Sequence, residues 1–309
     1  MKSSKLSNLF KIAATAIGVL SATGQAAHAF DLAPGTSFSQ TFECWNDSIG
    51  LVTGKNPTDA NGWQYAIDSN TDGANGRYGI GSAPGQTNPF DFSGIAIKQT
   101  ATSVIVAINS NMPLAGTLDD GHLIGYGDLF FTLPGQNFAQ AVQSGNLYGI
   151  HFASANHSGV QQLGVYSNVQ AKTVTDLVDG YTSSYGGITR YENDVKSLRG
   201  TPSHGDLTSS YFTNNGQNLN FDLNAIKSGT YFRDISFLAQ GTVTQDLLAT
   251  GYDTTKFRGT QTIAFQFNKS VVTPTASVPE PSTLFALGSL GLALAASKSR
   301  KQTANVNKA

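Results

Sequence analysis

The stretch Asp68-Ser69-Asn70-Thr71-Asp72-Gly73 sets oxygen-bearing side chains at alternate positions ahead of a glycine, the pattern with which a calcium loop curls around its ion. The second half of such a loop is missing, because its twelfth position is Gly79 and not a bidentate glutamate. Two readings stand. One is an Asx-rich turn without metal; the other is a calcium site of a different kind, in which Asp68, Asn70, Asp72 and Asn75 supply ligands or a distant aspartate completes the shell. No other cofactor is expected.

A second group of acids, Asp119, Asp120 and Asp128, lies close to His122. Paired carboxylates are the raw material of glycoside hydrolysis, one as acid and one as base or nucleophile, but they must face each other across a cleft. Asp119-Asp120-Gly121 reads more simply as a turn. The histidines His122, His151, His157 and His204 show no zinc spacing. Gly54-Lys55 sits in a loop one residue too short for a phosphate-binding loop, followed by Asn56 where a hydroxyl residue is needed. Gly76, Gly79, Gly81 and Gly85 lack dinucleotide spacing and read as turns. Tyr181, Tyr185, Tyr191 and Tyr211 are the types that stack on sugar rings, and equally the types that pack a core. No catalytic residue is assigned.

The elements that must position these groups are strands. Of 20 acids in 309 residues, 17 are Asp and three are Glu, and there are 33 glycines, which is the composition of a turn-rich chain and not of long helices. Turn signals recur every 8–12 residues between Phe30 and about Ser270. Alternation and β-branched content predict strands at Phe38–Cys44, Trp63–Ile67, Gly94–Lys98, Ser103–Asn109, Leu129–Leu133, Leu147–Ala153, Gly164–Val169, Thr173–Thr175, Tyr231–Leu238 and Gln261–Phe267. Short helical turns are expected at Phe138–Gln143, Ala225–Ser228 and Thr244–Ala249, and residues 177–220 read as an insertion or mobile loop. The fold class is all-β, a single jelly-roll-like β-sandwich with long loops, over residues 30–270.

Residues 30–278 hold 12 Lys and Arg against 19 Asp and Glu, a net of −7, which argues against nucleic acid or anionic lipid as partner and favours cation-bridged association. Cys44 is the one cysteine, so no disulfide forms within the chain, and it reads as a small buried hydrophobe.

Both ends carry export chemistry. Lys2, Lys5 and Lys11 precede an apolar stretch that ends in Ala27-His28-Ala29, the three parts of a signal peptide over residues 1–29 with cleavage between Ala29 and Phe30. The absence of twin arginines points to the general secretion machinery. A linker at 271–278 leads to Pro279-Glu280-Pro281, an apolar run from Leu284 to Ala296, the basic residues Lys298, Arg300 and Lys301, and a cytoplasmic tail at 302–309. A helix over 282–297 is about 24 Å long, short of the roughly 30 Å hydrocarbon core, and suits a transient membrane contact.

Pro-Glu-Pro, a short hydrophobic helix and a basic cluster, at residues 279–301, resemble the PEP-CTERM sorting signal. The resemblance implies processing by exosortase, a membrane-embedded cysteine protease of bacteria that also make exopolysaccharide, with Pro279, Glu280 and Pro281 as recognition element. The blocks 92–116, 124–135 and 147–175 are similar to a group of cyanobacterial exosortase-dependent surface proteins, a group that carries no enzymatic role to transfer. The expectation is an exported, non-catalytic surface or extracellular-matrix protein associating with exopolysaccharide. The alternative is a secreted glycan-acting hydrolase or lyase using Asp119, Asp120 or Asp128.

Overall fold

Antiparallel pairing of short β-branched and aromatic segments builds both sheets of the computed structural model, which describes residues 32–43, 47–69, 72, 88–119, 121–174, 188–212 and 223–269. The predicted ends, 1–29 and 271–309, and Cys44 lie outside the described residues.

One sheet has six strands in the order β11 (Ala225–Arg233), β10 (Gly164–Lys172), β9 (Tyr148–His151), β8 (Leu129–Thr132), β1 (Ser37–Thr41), β2 (Ser48–Val52). The other has five, in the order β12 (Ser236–Gly241), β13 (Gln261–Asn268), β5 (Ser103–Ser110), β4 (Phe92–Gln99), β3 (Trp63–Ile67). A separate ribbon pairs β6 (Thr117–Asp119) with β7 (His122–Ile124). This is the expected all-β sandwich.

Period-two alternation explains how each sheet buries both faces. Along β4, β5 and β13, Ile95, Ile97, Val104, Val106, Ile108, Ile263 and Phe265 point into the core between the sheets. The intervening Ala96, Ile105, Ala107 and Ala264 face outward, under Tyr252, Phe257 and Leu247 of helix α4 (Gln245–Ala249), where α1, α2 and α3 are Phe138–Ser144, Ile188–Ser197 and Ser209–Phe212. In the six-stranded sheet Phe38, Leu129, Phe131 and Ile150 face inward. Phe130 and Ile226 face outward under Phe138 of α1 and Tyr211 of α3. Phe42 stacks on Phe92 at 4.0 Å between ring centroids, and Phe152 on Phe265 at 5.3 Å. Such pairs hold the two layers in register beyond what burial alone supplies.

Several expectations are corrected. Ala225–Ser228 opens β11 and is not a helical turn, because Ile226 and Ala225 pair with Ala171 and Lys172 of β10. The expected strand Tyr231–Leu238 contains the corner between β11 and β12, and β10 ends at Lys172, before Thr173. Ser48–Val52 is a strand the pattern conceals, with Gly50 at its centre. The stretch 177–220, expected as an insertion or mobile loop, supplies α2 and α3, with 175–187 and 213–222 outside the described residues.

That stretch also protects an edge. β2 ends the six-stranded sheet, and an unpaired edge is a template for association. Here the Gly50 amide donates to the His204 carbonyl at 3.1 Å and the Asp206 amide donates to the Gly50 carbonyl at 2.8 Å. The close approach requires glycine: a Cβ on Gly50 would collide with the Leu207 side chain and meet the Phe38 carbonyl at 2.7 Å. Gly50→Ala is therefore expected to cost about 2–3 kcal/mol in urea denaturation. Gly135→Ala, at an open turn with φ of 78°, should cost only about 1 kcal/mol from backbone strain.

Candidate metal centre

Four aspartates meet where the sheets come together at the β2 and β3 edges. Asp47 immediately precedes β2, Asp68 follows β3, and Asp91 precedes β4, while Asp72 reaches the same place from beyond β3. β2 lies against β3 and β4 across the sandwich, and the Asp68 amide donates to the Ser93 carbonyl, so the packing of these strands brings Asp47, Asp68 and Asp91 to one corner. One oxygen from each of Asp47, Asp68 and Asp72 lies within 4.8 Å of the others.

All are buried, Asp47 and Asp72 completely and Asp68 and Asp91 to 8% and 7% exposure. Two are pinned through one oxygen. The Phe92 amide donates to Asp47 Oδ2 at 2.7 Å, and the Tyr191 hydroxyl of α2 lies 2.9 Å from Asp72 Oδ2. Among the described residues the other oxygens, Asp47 Oδ1 and Asp72 Oδ1, have no hydrogen-bond donor, nor does Asp91 Oδ1. Ser203 and the amides of Ser69 and Gly205 face Asp68, yet neither of its carboxylate oxygens reaches hydrogen-bonding geometry. Among the described residues no lysine, arginine or histidine forms an ion pair with any of the four.

The electrostatic consequence is large. Burial pushes the Asp68 carboxyl up to about 8, burial and then the Asp68 charge push Asp72 to about 9, and burial pushes Asp91 to about 7. Asp47 is driven well above the usual carboxylate range by burial first and then by its three acidic neighbours. An all-oxygen cluster of this charge is the donor set of a hard divalent cation.

Of the sequence-predicted ligands, Asp68 and Asp72 come together, and Asn70 and Asn75 lie outside the described residues. Asp47 and Asp91 lie 21 and 23 residues from Asp68 in the chain, distant aspartates that no local spacing singles out. Asp72 is fully buried, and the Tyr191 hydroxyl donates to its Oδ2.

The other buried acids contrast with these. Asp128 is surrounded by His151 Nδ1 at 2.9 Å, Asn156 Nδ2 at 3.0 Å, Ser158 Oγ at 2.8 Å and the Ile226 amide at 2.6 Å. Glu43, whose carboxyl is raised by burial, accepts the amides of Gly125 and His157 and lies 3.1 Å from His157 Nδ1. Asp119 sits in the β6–β7 ribbon opposite His122, on a different sheet from the strand that Asp128 precedes, and Asp120 is outside the described residues. Tyr191 and Tyr211, considered as sugar-stacking groups, are buried at 2% and 8% exposure and pack the core; Tyr181 and Tyr185 are outside the described residues.

Residues 277–301 match the PEP-CTERM protein-sorting motif. The chain carries a PEP-CTERM sorting signal. The signal implies processing by exosortase and export to the cell surface. No curated protein and no solved structure matches the chain. Among the described residues no helix is long and apolar enough to cross a membrane, and the apolar run of the PEP-CTERM segment lies outside them.

Beside the acidic cluster sits His204, 5% exposed, its Nδ1 2.6 Å from Ser48 Oγ and its Nε2 3.8 Å from Glu192 Oε1. Burial pushes its imidazole down to about 4, against the opposing pull of Glu192. The folded state therefore favours the neutral ring, so this contribution is complete above the unfolded value near 6.5 and is lost as pH falls from there toward 4. The loss amounts to roughly 3 kcal/mol. Urea midpoints of wild type and His204→Gln should differ by a constant amount above pH 7, with wild type losing ground to the variant between pH 6.5 and 4. Asp128→Ala leaves four polar groups facing a void and is expected to cost about 3–5 kcal/mol in the same assay.

Proposed function

We propose that the mature protein is a non-catalytic component of the cell surface or extracellular matrix, retained by association with exopolysaccharide after exosortase processing. The observation that carries the reading is the PEP-CTERM motif at 277–301, placed behind a β-sandwich. The acid excess of residues 30–278, net −7, supports cation-bridged contact with an acidic polymer over direct ion pairing. A non-catalytic role is supported by Asp128, one of the three carboxylates considered for hydrolysis, being engaged by His151, Asn156, Ser158 and Ile226. A glycan hydrolase built on it would have to break these contacts to free a general acid or base.

The experiment is intact mass and cell fractionation of the native protein beside a Glu280→Ala variant. Wild type is expected at the surface without the residues that follow the Pro-Glu-Pro region, and the variant is expected to accumulate in the inner membrane at full C-terminal length. Identical mass and fractionation of the two would overturn the sorting part. Processed wild-type protein should then co-sediment with exopolysaccharide from the producing cells and release no sugar from it. Release of reducing ends, abolished by Asp128→Asn, would replace the reading with the hydrolase.

A further inference from the structure

We propose that Asp47, Asp68 and Asp72 bind one divalent cation, calcium by its chemistry, which staples the two sheets at their β2 and β3 edges. Asp47 adjoins β2 of the six-stranded sheet and Asp68 adjoins β3 of the five-stranded one, so a shared ion would cross-link strands that no hydrogen-bond ladder joins. Asp72 brings the chain beyond β3 to the same ion, and through Tyr191 it brings α2.

Geometry and chemistry select the ligand. Two oxygens on one calcium at about 2.4 Å can be no farther apart than about 4.8 Å, and the oxygens of Asp47, Asp68 and Asp72 satisfy that limit for every pair. Magnesium, with bonds near 2.0–2.1 Å and a strict octahedron, demands a tighter cage and keeps its waters. Zinc would call for histidine or cysteine, and among the described residues the grouped ligands are aspartates.

A second, independent observation points to the same ligand. Asp47 and Asp72 are wholly buried, each anchored through Oδ2, and each keeps an Oδ1 that no donor among the described residues satisfies. Native cores rarely leave such atoms unpaired, because each costs its full desolvation. Three unpaired carboxylates converging on one point cost far more, and a cation removes the repulsion and satisfies the oxygens together. Asp91, also buried with an unsatisfied Oδ1, adds negative charge at the rim.

For a chain exported as proposed above, calcium is met on the far side of the membrane, so the staple would close after translocation. The binding itself does not depend on that address, and the test on purified protein keeps the two apart. Full-length protein is stripped with a chelator and titrated with calcium chloride, then magnesium chloride, following bound metal by equilibrium dialysis with atomic emission and stability by thermal unfolding. One calcium per chain is expected, and at a hundredfold excess over the dissociation constant the midpoint should rise by about 5–10 °C. Magnesium should give less than half that rise.

Asp72→Asn provides the control that a purely structural aspartate would fail. In chelator the variant should unfold at or above the wild-type temperature, since a repelling charge is gone. In calcium it should lose most of the rise and fall below wild type. Asp47→Asn should behave alike from the opposite sheet. Absence of bound calcium at millimolar concentration, or an equal rise in wild type and both variants, would overturn the proposal, and the first would assign the cluster to shared protons.

Discussion

Covering both faces of both sheets leaves little water inside this fold, and that constraint governs every carboxylate within it. β5 shows the condition at its extreme, with all eight of its residues buried. In such surroundings an ionised group survives only if donors or a counter-charge replace the solvent it has lost. The domain meets this demand in two different ways at two places. Asp128 and Glu43 are enclosed by amides, a hydroxyl and imidazoles, so their charge is spread over fixed dipoles. The cluster of Asp47, Asp68, Asp72 and Asp91 has a comparable depth of burial, and among the described residues its carboxylates accept from the Phe92 amide, the Tyr191 hydroxyl and, at 3.5 Å, Asn111 Nδ2. The difference is not in the residues but in what the surrounding strands point at them.

The location of that cluster follows from topology. The five-stranded sheet begins at β3, and the six-stranded one ends at β2, so the chain passes from one sheet to the other at this corner of the sandwich. Edge strands lack a neighbour on one side, and here the missing neighbour is replaced twice. The segment around His204 to Asp206 bonds to the backbone of β2, with Gly50 and Gly205 allowing the approach. α2, a few residues earlier, lays Tyr191 over Asp72. A strap that seals a sheet edge thereby also seals the acidic corner from solvent, and the two tasks are carried out by one stretch of chain.

Much of this was legible in the sequence, and the parts that were not share a cause. Strands such as Ser103–Ser110 and Gln261–Asn268 announce themselves because alternation and β-branching are local properties. Asn137 with Gln140 likewise marks the start of α1, where both halves of a capping box form and Gly145 closes the other end. Ser48–Val52 was hidden by Gly50, whose reason for being there is Leu207, far along the chain. Asp68 and Asp72 stood out through spacing, whereas Asp47 and Asp91 carry no local signal at all; only strand order brings them near. Tyr191 and Tyr211 look like a binding platform in a glycine- and serine-rich stretch, but burial is decided by neighbours that pattern does not reveal.

The acidic corner also bears on how the domain holds together once it has been exported under a PEP-CTERM signal. An exported chain has to remain loose during passage and become durable afterwards, and this one has a single cysteine, so no internal disulfide can supply the durability. Its aromatic core forms wherever the chain is free to collapse, since burial of Phe42, Phe92, Phe152 and Phe265 needs nothing but water to drive it. The corner is different, because its like charges oppose closure until protons or a cation offset them. Stability at that corner is then set by the ionic composition around the protein and not by its packing alone.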